Sequence, residues 1–398
     1  MPLPTPASAP ASGSTPAPPS SSASVLADVS IIVAARNAEA TLDECLGSVC
    51  RQEGVAGAGA REVSLWDDAS TDGTAAAAEA WRARLLAAGW ALTVGATGGS
   101  VGIGPGPARD RAVAASSGGV LVVLDADDVM HPTRVAVQVA ALRGAAPLTL
   151  VGAGFERRPA DATRHYTAWA NGLSTERLVL EQYREVTLIQ PTWCLARSTF
   201  DAAGGYGAGL CEDLRFFHSH LDGGGHLLKA GGGPLVVYRQ TAGSVCGTLS
   251  RRDLLRARLA AFERRVLGGP DAARWSSFML WGAGRDGRNV YNDLSPAARQ
   301  RVAAFVDVDP AKIGTPYLYV PDAPPPPPEE GGGGGGGGGG GPRKKKRKRV
   351  ATAVPVLHFS EVKPPFLVCV AMGRTDGALE RNVASLGYVE GQDYWHFS

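Results

Sequence analysis

The chain has little net charge and few cysteines for its length. Its 398 residues carry 40 lysines and arginines against 38 aspartates and glutamates, a formal charge of +2. This balance excludes a strongly basic surface over the whole protein as a means of binding nucleic acid. The six cysteines show neither metal-ligand nor C-x-x-C spacing, which favours reduced thiols and a location in the cytosol or nucleus.

Long apolar runs are also missing. No stretch is long and apolar enough to cross a membrane, so we expect no membrane contact and disfavour a Golgi-anchored glycan enzyme, which would need a signal anchor. Residues 1–27 are rich in Pro, Ser and Ala and lack charge, which is typical of a disordered tail. A transit peptide is the alternative, but the usual arginines are absent.

The length and a hydrophobic share of 44% leave room for two globular domains. We place the first at 28–250 and the second at 251–398. Prolines, a glycine tract and the basic run 343–349 (RKKKRKR) make up residues 322–349, which predicts a disordered insert in the second domain. The basic run fits a nuclear localisation signal, an electrostatic hold on RNA phosphates, or a low-complexity insertion without function.

Three carboxylates follow one apolar strand within four residues. Residues 120–124 (VLVVL) predict a strand buried on both faces, and Asp125, Asp127 and Asp128 come directly after it. Crowded acids repel one another unless a cation or a hydrogen-bond network lies among them. Mg²⁺ and Mn²⁺ prefer oxygen ligands and often share them with phosphates. We therefore predict a divalent metal site; a solvated turn is the alternative.

The residues before this strand alternate between strand and helix patterns, which predicts an α/β fold with a mostly parallel, covered sheet. Residues 41–44 (TLDE) fit a capping box at the start of a helix. The predicted strands are 29–33, 62–66, 91–94 and 120–125, and a short helix is predicted at 109–116.

Four segments together resemble glycosyltransferase family 2. They are residues 29–37 (VSIIVAARN), 67–74 (DDASTDGT), 106–109 (GPAR) and 124–128 (LDADD). The resemblance covers about 28–250. It implies the GT-A nucleotide-diphospho-sugar transferase fold and an inverting, metal-dependent enzyme that takes a hexose from a UDP-sugar with Mn²⁺ or Mg²⁺ as cofactor.

The resemblance also implies site residues. Asp68 matches the acid that bonds to uracil, and the D-x-D pair is Asp125 and Asp127. The metal ligand is Asp127 or Asp128. Arg109 would contact the anionic part of the donor, with a solvent-paired surface arginine as the alternative. The implied donor-binding set is Ala35, Arg36, Asn37, Glu39, Asp68, Arg109 and Asp125.

A general base is expected in the second half of the first domain. Residues 212–217 (EDLRFF) match the family's Glu-Asp motif, so the resemblance implies that Asp213 is the catalytic base and that Glu212 orients the acceptor or the base. The alternative is an acidic helix N-terminus beside an apolar stripe. Relatives carry a histidine after a Tyr-Arg pair, but residues 238–243 (YRQTAG) have none. The nearby His218, His220 and His226 are expected on an exposed helix face.

A closer resemblance involves residues 166–169 (YTAW), 190–194 (QPTWC), 281–288 (WGAGRDGR) and 391–398 (GQDYWHFS). These resemble a subgroup labelled β-1,3-N-acetylglucosaminyltransferase-like protein 1, associated with galactosylation of queuosine in tRNA. The implied substrates are UDP-galactose and queuosine at a tRNA wobble position. The alternatives are another UDP-sugar, such as UDP-GlcNAc, transferred to a glycan or small molecule, and an inactive nucleotide- or RNA-binding scaffold.

The second domain carries a glycine-rich turn. Residues 282–287 (GAGRDG) follow a predicted strand at 275–281, and a second strand at 301–306 ends in Asp307. A G-x-G-x-x-G turn with an acid after the next strand is the dinucleotide-binding pattern and predicts a small Rossmann-like α/β domain. The alternative is a purely structural module packed on the transferase domain.

Overall fold

The computed structural model describes residues 28–55, 59–241, 249–320, 351–371 and 375–397 of the chain. The predictions for the tail 1–27 and the insert 322–349 lie outside these residues. Two sheets dominate the described chain, one of eight strands and one of five. None of the described helices is both long enough and apolar enough to span a membrane.

The first sheet has the strand order β3-β2-β1-β4-β7-β6-β8-β5. Strands β1 to β4 run parallel to one another, β7 is antiparallel to β4 and β6, and β8 is parallel to β6. This confirms the predicted mostly parallel sheet. The strands are β1 Val29–Ala35, β2 Arg61–Asp67, β3 Ala91–Ala96, β4 Val120–Asp125, β5 Val129–Met130, β6 Thr149–Arg158, β7 Cys194–Ala196 and β8 His226–Arg239.

Helices cover both faces of this sheet, so its central strands β1 and β4 are buried along almost their whole length. Val29, Ile31 and Val33 of β1 pack into one core, whereas Ile32 belongs to the core on the opposite face. The helices are α1 Glu39–Cys50, α2 Thr74–Ala80, α3 Arg82–Ala87, α4 Pro105–Ala114, α5 Arg134–Arg143, α6 Arg164–Gly172, α7 Thr175–Leu180, α8 Arg197–Ala203 and α9 Glu212–Asp222.

Two predicted helix starts are wrong. Helix α1 begins at Glu39, and its N-cap Ala38 has no side-chain cap. The Thr41 hydroxyl lies within the first turn and donates to the main-chain oxygens of Ala38 and Ala126, so residues 41–44 are not a capping box. Helix α4 begins at Pro105 instead of residue 109, because proline suits the first turn of a helix, where its missing N–H is not needed.

The strand register brings several strand ends to one edge. Asp67 of β2 lies beside Ala35 of β1 and Ala96 of β3, and Asp125 of β4 lies beside Ala34. These are the carboxyl ends of parallel strands. The loops that follow them therefore emerge together, at the edge where open α/β sheets bind ligands.

The second sheet is entirely parallel, with the order β13-β10-β9-β14-β15, and a short antiparallel pair, β11 and β12, lies beside it. Residues 274–276 form a short 3₁₀ turn, so the strand predicted at 275–281 begins only at Phe278. The strands are β9 Phe278–Trp281, β10 Val302–Asp307, β11 Tyr317–Tyr319, β12 Thr352–Val354, β13 Val356–His358, β14 Phe366–Val368 and β15 Tyr394–His396. The helices are α10 Arg251–Phe262, α11 Arg285–Asp293, α12 Pro296–Arg299 and α13 Ala378–Ser385.

The two sheets are joined by a shared aromatic core. Tyr183, from the segment after α7, stacks on Phe397, with ring centroids 5.3 Å apart, and meets Phe262 edge-on at 5.5 Å. Arg177 of α7 pairs with Glu390 at 2.6 Å. The segment around β15 therefore packs directly against the first domain.

Candidate active site

Asp125, Asp127 and Asp128 form a compact acidic cluster after β4. Each offers a carboxylate oxygen, and these oxygens lie within 4.8 Å of one another. Asp128 is fully buried; its Oδ1 accepts a 2.8 Å hydrogen bond from the backbone N–H of Arg239, but its Oδ2 has no partner in the structure. Burial and the two neighbouring acids raise the pKa of Asp128 well above its ordinary value. An orphaned oxygen among mutually repelling carboxylates fits a divalent cation.

Asp127 is held in place by Arg239, the last residue of β8, and by Thr241, two residues further on. The hydroxyl of Thr241 donates to its Oδ2 at 2.9 Å, and the guanidinium of Arg239 donates from Nε to its main-chain oxygen. Burial, with Asp125 as the second cause, raises the pKa of Asp127. Thr241 and Arg239 were not among the site residues predicted from the sequence. The Tyr-Arg pair that precedes Thr241 was the available signal, because it marks the segment where relatives place a histidine.

Arg109 of α4 connects the acidic cluster to α9. Its Nη2 donates to Asp125 Oδ1 at 2.6 Å and its Nη1 donates to Glu212 Oε1 at 3.2 Å. The arginine is only 7% exposed, so the alternative of a solvent-paired surface residue is wrong. Burial alone would lower the pKa of Arg109, but Asp125, Tyr206 and Glu212 more than offset it and raise that pKa. A guanidinium that bridges two acids fixes both in one geometry.

Asp213 lies in the first turn of α9, beside Glu212. Its Oδ1 accepts a 2.7 Å hydrogen bond from the backbone N–H of Leu214. Burial, followed by the charge of Glu212, raises the pKa of Asp213 to about 6. The helix is anchored by its apolar side, where Leu214 and Phe217 are buried. Asp213 is therefore a partly buried carboxylate with a raised pKa of about 6, so it is ionised at neutral pH and could accept a proton.

Asp68 fixes the loop between β3 and α4. Its Oδ1 accepts hydrogen bonds from the Thr97 hydroxyl at 2.9 Å and the Ile103 N–H at 2.7 Å, and its Oδ2 accepts from the Gly104 N–H at 2.9 Å. A Cβ at position 102 would come within 2.6 Å of both Asp68 Oδ2 and Arg36 Nη1. Asp68 and Arg36 therefore lie together at the carboxyl edge of the sheet, with a glycine between them.

Asn37 and Glu39 connect the loops after β1 and β2. Asn37 Oδ1 accepts from the Thr71 N–H at 2.9 Å, and Glu39 Oε2 accepts from the Gly73 N–H at 2.8 Å. The main-chain oxygen of Ala35 accepts from the Asp68 N–H at 2.8 Å. These residues build the wall beside Asp68 through contacts that the sequence does not reveal, and their contact with a nucleotide stays a prediction.

Two of the three histidines of this region lie in the protein interior, whereas His226 is exposed and begins strand β8. His218 and His220 are buried, which corrects the expectation of an exposed helix face. His218 stacks on Tyr183, and His220 Nε2 lies 3.0 Å from the main-chain oxygen of His226. Within the part of the chain that the structure describes, the acids after β4 form the single group of His, Cys, Asp or Glu side chains suited to a metal ion.

Comparison with known proteins agrees with this architecture. Residues 30–203 match the model of glycosyl transferase family 2. The matched residues make up a little under half of the chain and include the acids after β2 and β4, but not Glu212 or Asp213. The predicted GT-A class, with its large mostly parallel central sheet, is confirmed.

Several solved structures are also similar. Residues 1–349 of S. aureus TarS, in complex with UDP-GlcNAc, are 16% identical, with a TM-score of 0.46 over 68% of this chain and 71% of that TarS chain. The mannosyltransferase PcManGT from Pyrobaculum calidifontis, with GDP-Man and Mn²⁺, is 22% identical, with a TM-score of 0.44 over 59% and 64% of the two chains. Glucosyl-3-phosphoglycerate synthase from Mycobacterium tuberculosis, with Mn²⁺, UDP and glucosyl-3-phosphoglycerate, is 20% identical, with a TM-score of 0.42 over 65% and 88%.

Proposed function

We propose that the chain is an inverting glycosyltransferase that moves a sugar from a UDP-sugar to a hydroxyl acceptor. One observation carries the proposal: Arg109 bonds both to Asp125 of the acidic cluster and to Glu212, the neighbour of Asp213. The donor-side acids and the candidate base Asp213 are therefore close together, connected through one guanidinium. The family match over residues 30–203 supports the same reaction class. We assign catalysis to residues 28–250 and treat 251–398 as a second domain.

The donor side would use the carboxyl edge of the first sheet. Asp127 and Asp128 would hold Mg²⁺ or Mn²⁺, with Thr241 and Arg239 fixing the orientation of these acids. When bound, the cation would offset the charge of the leaving nucleoside diphosphate. Asp125 would contact the sugar nucleotide, and Asp68 would orient its uracil ring.

The acceptor side would use Asp213. Its ionised carboxylate removes the proton of the acceptor hydroxyl as that oxygen forms a bond to the anomeric carbon. The bond from this carbon to the diphosphate oxygen breaks on the opposite face, so the configuration inverts. Glu212, held by Arg109, positions the acceptor and keeps the pKa of Asp213 high.

We further propose UDP-galactose as the donor and the cyclopentenediol of queuosine in tRNA as the acceptor, which requires a cytosolic or nuclear enzyme. The support is the sequence resemblance of segments 166–169, 190–194, 281–288 and 391–398 to the queuosine-modifying subgroup. A UDP-sugar transferase acting on a glycan or small molecule has the same catalytic acids and differs in its acceptor. An inactive scaffold would not need a base with a pKa near neutrality.

A labelled-sugar transfer assay tests both the proposed catalytic reaction and the proposed queuosine acceptor. The full chain is incubated with Mn²⁺, UDP-[¹⁴C]galactose and tRNA that contains or lacks queuosine, with UDP-GlcNAc as the competing donor. We expect label only on the queuosine tRNA, and transfer by Asp213→Asn reduced about 10²- to 10⁴-fold. Equal labelling of both tRNAs would reject the queuosine acceptor. Retained turnover in Asp213→Asn would reject the catalytic assignment itself.

A further inference from the structure

The second domain contains a cavity of about 330 Å³ that the proposed transfer reaction does not use. It opens at the carboxyl edge of the parallel sheet. Residues that follow three different strands line it: Gly282 and Gly284 after β9, Asp307 at the end of β10, and Cys369 and Val370 after β14. Its volume lies in the range of ligand pockets, near the lower end.

The order of the strands in this sheet favours ligand binding at this edge. Among the five strands of the sheet, β9 comes first in the chain and lies in the middle. The next two strands, β10 and β13, add on one side, and β14 and β15 add on the other. The lateral order is therefore 3-2-1-4-5, the order of a dinucleotide-binding sheet, and the connection reverses direction between β9 and β14. Ligands bind in the crevice at such a reversal, and the cavity lies there.

The backbone geometry requires glycine at two positions of the 282–287 turn, and the third glycine is not needed for packing. Gly282 has φ +110, which side chains disfavour. A Cβ at Gly287 would lie 1.8 Å from the main-chain oxygen of Gly282, so only glycine lets α11 pack this closely on β9. A Cβ at Gly284, by contrast, would meet nothing within 4 Å. The fold does not need this glycine for packing, and its bare backbone faces open space at the cavity.

The charged side chains at the cavity are of both signs, which suits a ligand that carries an anionic group and neighbouring hydroxyls. Asp307 accepts from the N–H of Ala283 at 2.8 Å, which ties the glycine turn to β10. Lys312 Nζ lies 3.2 Å from Asp307 and 3.4 Å from Asp309, at the cavity rim. Arg285, with a side chain 79% exposed, is the first residue of α11, where the helix dipole also attracts negative charge, and its Nε lies 3.6 Å from Asp286.

We propose that this cavity binds a ribonucleotide. Its phosphate would lie on the backbone of Gly284 and Arg285, its ribose hydroxyls would face Asp309 and Lys312, and its base would cover the exposed Val308. A dinucleotide and a mononucleotide share this chemistry, and the choice of ligands in the test separates them. The site is independent of the donor site of the first domain.

Calorimetric titration of the full chain with NAD⁺, NADP⁺, ADP and UDP tests the proposal. We expect at least one ligand to bind at the cavity with a Kd below about 1 mM. Gly284→Ala puts a methyl group where the phosphate must approach and should weaken that binding about tenfold or more. Gly231→Ala in β8 is the matched control, because its Cβ also meets nothing within 4 Å. It should bind like the unsubstituted chain.

The outcomes separate the two nucleotide sites. UDP binding that is lost in Asp68→Ala but kept in Gly284→Ala belongs to the donor site, and if it is the only binding seen at about 1 mM, the proposal is overturned. Arg285→Glu, at an exposed side chain, serves if Gly284→Ala does not fold, and it should also weaken binding. Failure of all four nucleotides to bind at about 1 mM, or binding unaffected by either change, would overturn the proposal.

Discussion

Asp125 and Glu212 accept hydrogen bonds from the same buried guanidinium, that of Arg109, at 2.6 and 3.2 Å. One acid ends β4 and the other begins α9. Their separation is therefore set by a single rigid, planar group. If the arginine is removed, two carboxylates that share its charge are left facing each other.

Replacing Arg109 should cost stability as well as activity. We expect Arg109→Ala to lower the free energy of unfolding by about 3 kcal/mol, because it leaves partly buried acids without a counter-charge. Arg109→Lys should cost less, since one ammonium keeps the charge but cannot reach both acids as a planar fork. Urea unfolding followed by circular dichroism measures both. Arg111→Ala, at an exposed position of the same helix, is the control and should change little.

The pH profile should report Asp213. Burial and Glu212 raise its pKa to about 6, so the ionised base predominates above that pH and is lost below it. We expect kcat/KM to fall about tenfold for each pH unit below the midpoint. Glu212→Gln removes the like charge and should move the midpoint to lower pH. An identical midpoint in both proteins would show that another group governs the acid limb.

Asp213→Asn should separate catalysis from stability. Turnover should fall about 10²- to 10⁴-fold while UDP-sugar binding persists. A raised carboxyl pKa means that folding opposes the ionised form. The neutral amide should therefore stabilise the protein at pH 8, by on the order of 1 kcal/mol, and this gain should fade below pH 6 as Asp213 itself takes up a proton. Denaturant titrations at pH 5 and pH 8 measure the difference, and a loss of stability at pH 8 would contradict it.

The acidic cluster should bind Mn²⁺ with a stabilising effect. A cation that binds only the folded chain raises the Tm in proportion to the logarithm of its concentration. We expect this rise with the unsubstituted chain and its loss in Asp127→Asn and Asp128→Asn, measured by scanning calorimetry. Asp201→Asn, an exposed acid on α8, is the matched control. EDTA should abolish sugar transfer, and undiminished transfer in its presence would contradict a metal-dependent reaction.

Features that depend on residues close together in the sequence could be predicted from the sequence alone. The acids after β4 follow a buried strand directly, and β1 to β4 were visible as apolar runs separated by helical patterns. Contacts between distant residues were not visible. Thr241 reaches Asp127 across 114 positions, and Asn37 reaches Thr71 because parallel pairing aligns the ends of β1 and β2.

Local patterns misled where tertiary contacts took precedence. The Thr41 hydroxyl fits a cap by spacing, but it bonds instead to Ala126 on a neighbouring loop. Trp275 extends an apolar run that resembles a strand, although its ring is buried against Phe262 and Phe278 within a 3₁₀ turn. An apolar run alone does not fix the backbone conformation when a large ring must fill a core.

The stacked rings of Tyr183 and Phe397 have a practical consequence for anyone who expresses this protein in pieces. A fragment that stops near residue 250 would lose Phe262 and Phe397, which cover Tyr183. The apolar surface around Tyr183 would then be exposed to water, and we expect such a fragment to aggregate. The two parts of the chain should therefore be expressed and purified together.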